Sequence, residues 1–243
     1  MTMLRDECGV LNRNWLPYAA LLPALFAAAA KARELAGPSQ ADAWAKIRRW
    51  FWCSCFDQRY EGPANTLNAA DFRALVLWFE NEGEIPEAIA NLDLSALNLP
   101  GVRRQRNAVY RSVICLTIVN GARDFHTGQR ITHGLLEDPQ LKIEDHHVVP
   151  TGYLKKAEPP GERDDSILNR CLIDAITNKV VSDKAPALYL AEIAKRIGED
   201  KLDQILRSHL LPGGDGSALR AEPVDVARFT VSAWRSCYPP SCR

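Results

Sequence analysis

Net charge is the first thing this chain lacks, since 30 lysines and arginines are matched by 30 aspartates and glutamates. That balance excludes a uniformly basic nucleic-acid coat, although a local basic patch would still be enough for phosphate contact. Disulfide and zinc-ribbon chemistry are also missing. The seven cysteines are odd in number and contain no C-x-x-C pair, which points away from both and toward a reducing, cytoplasmic setting. Cys53 and Cys55 sit in an aromatic run and Cys115 and Cys171 in apolar runs, as buried free thiols do; Cys237 and Cys242 are poorly placed for a metal. The apolar stretch from Ala19 to Ala30 is interrupted by Pro23 and falls short of the roughly 20 residues that span a bilayer. It has no basic leader, so neither a membrane span nor a secretion signal is expected. There is no glycine-rich phosphate loop, internal repeat or low-complexity tract.

What is present is helical periodicity. With 243 residues the chain is long enough for one large or two small cores. The pattern divides it into a helical scaffold over 1–102, a domain over 103–192 that includes its lead-in helix, and a helical tail over 193–243. Asn14-Trp15-Leu16-Pro17 opens a first helix that carries Leu21, Leu22, Leu25 and Phe26 and stops at Gly37-Pro38. Ser39 is a plausible N-cap for a second, through Trp44, Ile47, Trp50, Phe51 and Cys55, with Arg48, Arg49 and Arg59 interleaved. Aromatic residues among arginines suit base stacking, but at helical spacing an aromatic core face with a solvated basic face fits better. Asn68 suits the cap of a third helix running to Gly83, and 85–100 reads as a looser connection. Arg103-Arg104-Gln105-Arg106 precedes an apolar helix from Val109 to Ile118; positive charge there opposes the helix dipole unless an anion lies close. Further helices are expected over Ala187–Ile197, Lys201–Leu210 and Val224–Trp234.

The chemistry concentrates in Glu144-Asp145-His146-His147-Val148-Val149-Pro150, which holds two of the five histidines. Histidine titrates near neutrality and is the commonest nitrogen ligand for divalent metals, so adjacent imidazoles can divide proton and metal work. Lys142 to Val149 alternates like a strand, on which neighbours face opposite ways unless the strand bends, and Pro150 would supply a bend. Asp165 to Ile173 reads as a second short strand. Ala175 to Lys179 follows as a polar break before Pro186 opens a helix.

This order, with histidines on the first strand, Asn169 on the second and Asn178 at a helix entrance, resembles the HNH nuclease motif, the ββα-metal finger. More narrowly, Gly121-Ala122-Arg123-Asp124-Phe125, the histidine pair with Pro150, Ile167-Leu168-Asn169-Arg170, Thr177-Asn178-Lys179 and Lys184-Ala185-Pro186 are similar to the nuclease end of GmrSD-type, modification-dependent restriction proteins. The likeness runs from about Trp15 to Pro212.

The resemblance implies an α+β, mainly α-helical fold, a helical bundle carrying a small ββα-metal finger within 103–192. It gives His147 the general-base position, His146 and Asn178 the metal, and Asn169 the hydrogen bonds that hold the finger's loop. Asp124 and Asp145 are candidate supports, and Lys155, Lys156, Arg170, Lys179 and Lys184 candidate phosphate contacts. One imidazole and one amide leave most coordination positions to water and phosphate, which suits Mg2+ or Mn2+. The implied function is a metal-dependent endonuclease that cuts DNA, including modified phage DNA, to 5′-phosphate ends in a bacterial restriction or anti-phage system. The implied partner is a nucleotide-sensing domain or subunit, so the chain is expected to be a fragment or half of a split system. Two alternatives stay open: a catalytically inactive module of the same shape that binds nucleic acid or protein, and an RNA-directed nuclease.

Overall fold

The computed structural model describes residues 2–62, 64–81, 83–134, 142–156, 164–226 and 228–229. The expected helix over Val224–Trp234 lies outside the described residues beyond Phe229, as do Cys237 and Cys242. The architecture is α+β and mostly helical. In chain order it comprises α1 (Thr2–Asp6), α2 (Leu22–Glu34), α3 (Gly37–Phe56), α4 (Ala64–Phe79), α5 (Glu87–Ala90), α6 (Ala108–Val119), β1 (Ile143–His147), α7 (Thr151–Lys156), β2 (Arg170–Asp174), α8 (Ala175–Val181), α9 (Pro186–Ile197) and α10 (Glu199–Ser208), with short 3-10 turns between some of them. These form two compact units. One gathers the residues up to Trp15, Asn98–Gln105 and the described chain from Val113 onward; the other takes Leu16–Leu97 with Arg106–Ser112.

In the first unit, β1 and β2 pair antiparallel with His147 opposite Arg170, His146 opposite Cys171 and Glu144 opposite Ile173. Helix α8 begins at Ala175, the residue after β2. The stretch Ala175 to Lys179, expected as a polar break, is therefore the first part of a helix, and β2 runs directly into it. The second strand is shorter than expected, because Ile167–Asn169 forms a 3-10 turn before it. Helix α6 ends at a glycine in the left-handed region: Gly121 has φ +84°, its N–H reaches Ile118 O at 3.0 Å, and Ala122 N reaches Thr117 O at 3.0 Å. That pair of bonds is a Schellman cap, and the conformation is one a Cβ would resist. Helices α9 and α10 close the unit by burying Tyr189, Leu190, Ile193, Leu202, Ile205 and Leu206.

In the second unit α2, α3 and α4 pack on one another. Gly37 and Pro38 do not stop the first long helix but open the next. Pro38 lies in the first turn of α3, where a missing N–H costs nothing, and Ser39 is inside the helix rather than at its cap. Asn68 likewise lies a turn inside α4. Its amide serves a different helix: Oδ1 accepts from Ala24 N at 3.1 Å and Nδ2 donates to Ala20 O at 2.9 Å, which satisfies an orphan donor in the first turn of α2. Trp50, Phe51 and Trp52 are buried, so these rings make core and not a stacking platform.

Arg59 leaves the basic series to join a buried network. Asp71, 1% exposed, receives Arg59 NH2 at 2.8 Å, Tyr60 OH at 2.7 Å and Trp50 Nε1 at 3.2 Å. A carboxylate buried among three donors is tolerable because every lone pair has a partner. Replacing Asp71 with alanine strands the guanidinium, so Asp71→Ala is expected to cost about 3–5 kcal/mol in urea unfolding monitored by tryptophan fluorescence. A change below about 1 kcal/mol would show that the network contributes little.

Candidate functional site

The site is built from the turn after α6. Asp124 is 2% exposed, and its Oδ1 accepts from His126 N (3.0 Å), Thr127 N (2.8 Å) and Thr177 Oγ1 (2.7 Å), while Oδ2 accepts from Asp174 N at 2.9 Å. Asp174, the N-cap of α8, makes no side-chain capping bond of its own. Asp124 thus ties down the start of α8 from 50 residues upstream and fixes the helix that carries Asn178. It acts on the site through α8. His209 steadies the same turn: its Nε2–H donates to Arg123 O at 2.6 Å and its ring meets Phe125 edge-on.

Strand alternation separates the two imidazoles. His146 and Glu144 share a face of β1, and Asn178 on α8 donates Nδ2 to Glu144 Oε2 at 2.7 Å. Burial pushes the His146 pKa down to about 4, helped by the charges of His147 and Arg170. The ring is therefore neutral at pH 7, and its Nε2 is buried without a hydrogen-bond partner. Glu144 is held below the usual carboxylate range by Lys142 and then Asn178. A bare imidazole nitrogen, an ionised carboxylate and an amide are a donor set that fits a hard or borderline divalent cation. Among the described residues no three of His, Cys, Asp and Glu gather as a metal cluster; the third donor here is the Asn178 amide.

His147 takes the other face. Its Nε2 lies 2.8 Å from Asp165 Oδ1, the same oxygen that accepts Arg170 NH2 at 3.0 Å, and Arg170 NH1 lies 3.7 Å from Asp145 Oδ1. An ionised carboxylate only accepts, so neutral His147 carries its proton on Nε2 and its lone pair on Nδ1.

Asn169 is fully buried. Its Oδ1 accepts from Val149 N at 2.7 Å, and its Nδ2 donates to Val149 O at 3.1 Å and Asp164 O at 2.9 Å, while its own carbonyl accepts Val148 N at 3.0 Å. The amide joins the chain leaving β1 to the turn entering β2. Tyr189 OH, donating to Val148 O at 2.8 Å, holds the same segment from α9.

The basic residues differ in availability. Arg170 is engaged by Asp165 and Asp145, so its charge is already matched. Lys156 and Lys184 make exposed pairs, with Asp183 at 3.6 Å and Glu192 at 2.6 Å. Lys155 and Lys179 are exposed and carry no ion pair among the described residues. Two acids that pattern reading left out belong to the site: Asp165, read only as the start of a strand, and Glu144. The signal for Glu144 was its i, i+2 spacing from His146; Asp165 carried none, because its role comes from the loop's path.

No protein-family model and no solved structure matches the chain. It is similar to an uncharacterized protein, MJ0686, of Methanocaldococcus jannaschii, at 32% identity over 179 residues, covering 68% of this chain. The chain spans 30% of that relative's length.

Two outcomes are expected. Asn169→Ala leaves the Val149 amide group unsatisfied in the interior and should lower stability by about 2–4 kcal/mol in denaturant titration; a loss under 1 kcal/mol would remove its role as the loop's tie. Acid should act through His209, whose pKa burial pushes down to about 4. The unfolded chain takes up this proton near pH 6.5 and the folded chain only near 4. Stability present above pH 6.5 is therefore lost as pH falls toward 4, by up to about 3 kcal/mol. Urea unfolding at pH 7 and pH 4.5 should show a smaller decline for His209→Gln than for the parent.

Proposed function

We propose that this chain is a metal-dependent endonuclease of the HNH type that hydrolyses DNA phosphodiester bonds, the nuclease part of a restriction or anti-phage system. The observation that carries the reading is the division of labour across β1: His146 Nε2 is buried, neutral and unpartnered beside Glu144 and Asn178, while His147 is oriented by a carboxylate on the opposite face. A hairpin followed at once by a helix, with a buried asparagine tying its loop, supports the ββα-metal finger. The nucleotide-sensing partner that the resemblance implies would lie outside this chain.

His146, Glu144 and Asn178 would hold a divalent cation, Mg2+ or Mn2+, which would supply positive charge to the phosphate oxygens. The rest of the chemistry falls to the chain's own groups. His147 accepts the proton of the attacking water through its lone pair as the water oxygen bonds to phosphorus. The bond from phosphorus to the 3′-oxygen breaks, the leaving oxygen takes a proton from solvent, and the phosphate stays on the 5′ side. Asp165 fixes the imidazole tautomer and stabilises the imidazolium that forms. Lys155 and Lys179 can meet the flanking backbone by charge.

Plasmid cleavage with Mg2+ or Mn2+ tests the reading. His147→Ala should lose roughly 10²- to 10⁴-fold in rate with metal affinity and melting temperature near parental values, whereas His146→Ala should lose metal affinity as well. Excess chelator should abolish cutting. Parental activity in His147→Ala, or undiminished cutting in chelator, would sink the assignment.

A further inference from the structure

We propose that the cleft formed by the end of α6, the Arg123–Arg130 turn and the last turn of α10 is a phosphate-binding site, separate from the histidine site and independent of whether the chain is a nuclease. The cleft has a volume of about 480 Å³ and is lined by Asn120, Arg123, Arg130, Gln204, Arg207 and Ser208, with no acidic residue among its walls. Three arginines therefore line one space in a protein whose formal charge is zero.

Their placement is costly without an anion. Arg123 and Arg130 are directly opposite each other in an isolated antiparallel bridge, the arrangement in which like charges repel across a strand pair. All three arginines are exposed and none has an ion pair among the described residues. Asp203, one turn before Arg207, does not relieve them, since it accepts Gly214 N at 2.8 Å and lies 3.4 Å from Arg220. The dipole at the C-terminal end of α10 accounts for Arg207 alone; it gives no reason for the Arg123–Arg130 pair.

The walls are also fixed. Asn120 Nδ2 donates to Arg207 O at 2.8 Å and Ser208 O at 3.1 Å, Ser208 Oγ accepts Arg123 N at 3.2 Å, and Arg123 NH1 donates to Gly128 O at 3.1 Å. Arginine presents a planar fork that matches phosphate oxygens two at a time, so three forks held on tied backbone form an oxyanion receptor. The phosphate comes either from a nucleic-acid backbone or from a free nucleotide.

The full chain is titrated in EDTA, so that cleavage plays no part, with a fluorescein-labelled 20-base-pair DNA duplex by anisotropy and with ATP by calorimetry. Arg130→Ala and Arg207→Ala should each weaken one or both probes by about tenfold. For the duplex, each substitution should also lower the slope of log K against log salt by about 0.9. Loss confined to the duplex identifies a backbone site, and loss confined to ATP a nucleotide site. If either alanine variant melts early, the corresponding lysine substitution, which keeps the charge, is compared instead: a loss of several-fold supports the fork geometry. Absence of binding to both probes, or unchanged affinity in all variants, overturns the proposal.

Discussion

One buried amide, that of Asn169, holds the candidate site together. A two-stranded sheet is marginal by itself, and the connection between β1 and β2 runs from Val148 to Asn169 with nothing in the ladder to fix it. Asn169 replaces the missing ladder: both ends of its amide meet Val149, Nδ2 also meets Asp164, and its carbonyl meets Val148. His147 comes just before Val148 and Asp165 just after Asp164. The same side chain therefore anchors the backbone beside each of them, and this is how a pair 18 residues apart comes to stand 2.8 Å from each other. A longer or hydrophobic side chain at this position would leave backbone donors and acceptors unpaired in the interior, where each such group is expensive.

The helices that matter most here are capped from a distance. The first turn of α2 is completed by Asn68 from α4, and the start of α8 by Asp124 from the turn after α6. Both are tertiary contacts doing a job usually assigned to the preceding residue. Each couples the position of one helix to the position of another element in its own unit, so that the turn after α6 is tied to the start of the helix carrying Asn178. Asp124 spends its carboxylate on this, which argues against a direct chemical role.

These same contacts explain which parts were legible in the sequence. Long helices such as α3, α4 and α9 were readable because their apolar spacing is a property of the segment itself, and the helical, α+β character followed from it. The histidine pair stands out because it ends a strand-like run beside a proline, and Asn169 through the resemblance to the HNH motif. Helix α8 does not. Its first residues, Ala-Ile-Thr-Asn-Lys, have two β-branched side chains and weak intrinsic helicity, and what starts the helix there is Asp124, invisible in any local window. Ser39 and Asn68 mislead for the complementary reason: both are residue types that favour caps, but Pro38 already begins one helix and Asn68 serves another. Asp165 acquired meaning only through the path of a loop.

Adjacent histidines would ordinarily be near-equivalent, and the strand makes them different. Alternation sends His146 toward Glu144 and α8, where desolvation outweighs the nearby carboxylate and the ring stays neutral, its Nε2 buried without a hydrogen-bond partner. It sends His147 toward Asp165 and Arg170, where a carboxylate shared with a guanidinium sets the tautomer. Sharing matters. Arg170 shares Asp165 Oδ1 with His147, and Asp145 Oδ1 lies 3.7 Å from the other end of the same guanidinium, so no one of these groups can turn without disturbing the next. The chain of Asp145, Arg170, Asp165 and His147 is thus a positioning network, in which the arginine's charge is already matched by two carboxylates and the imidazole's orientation follows from theirs.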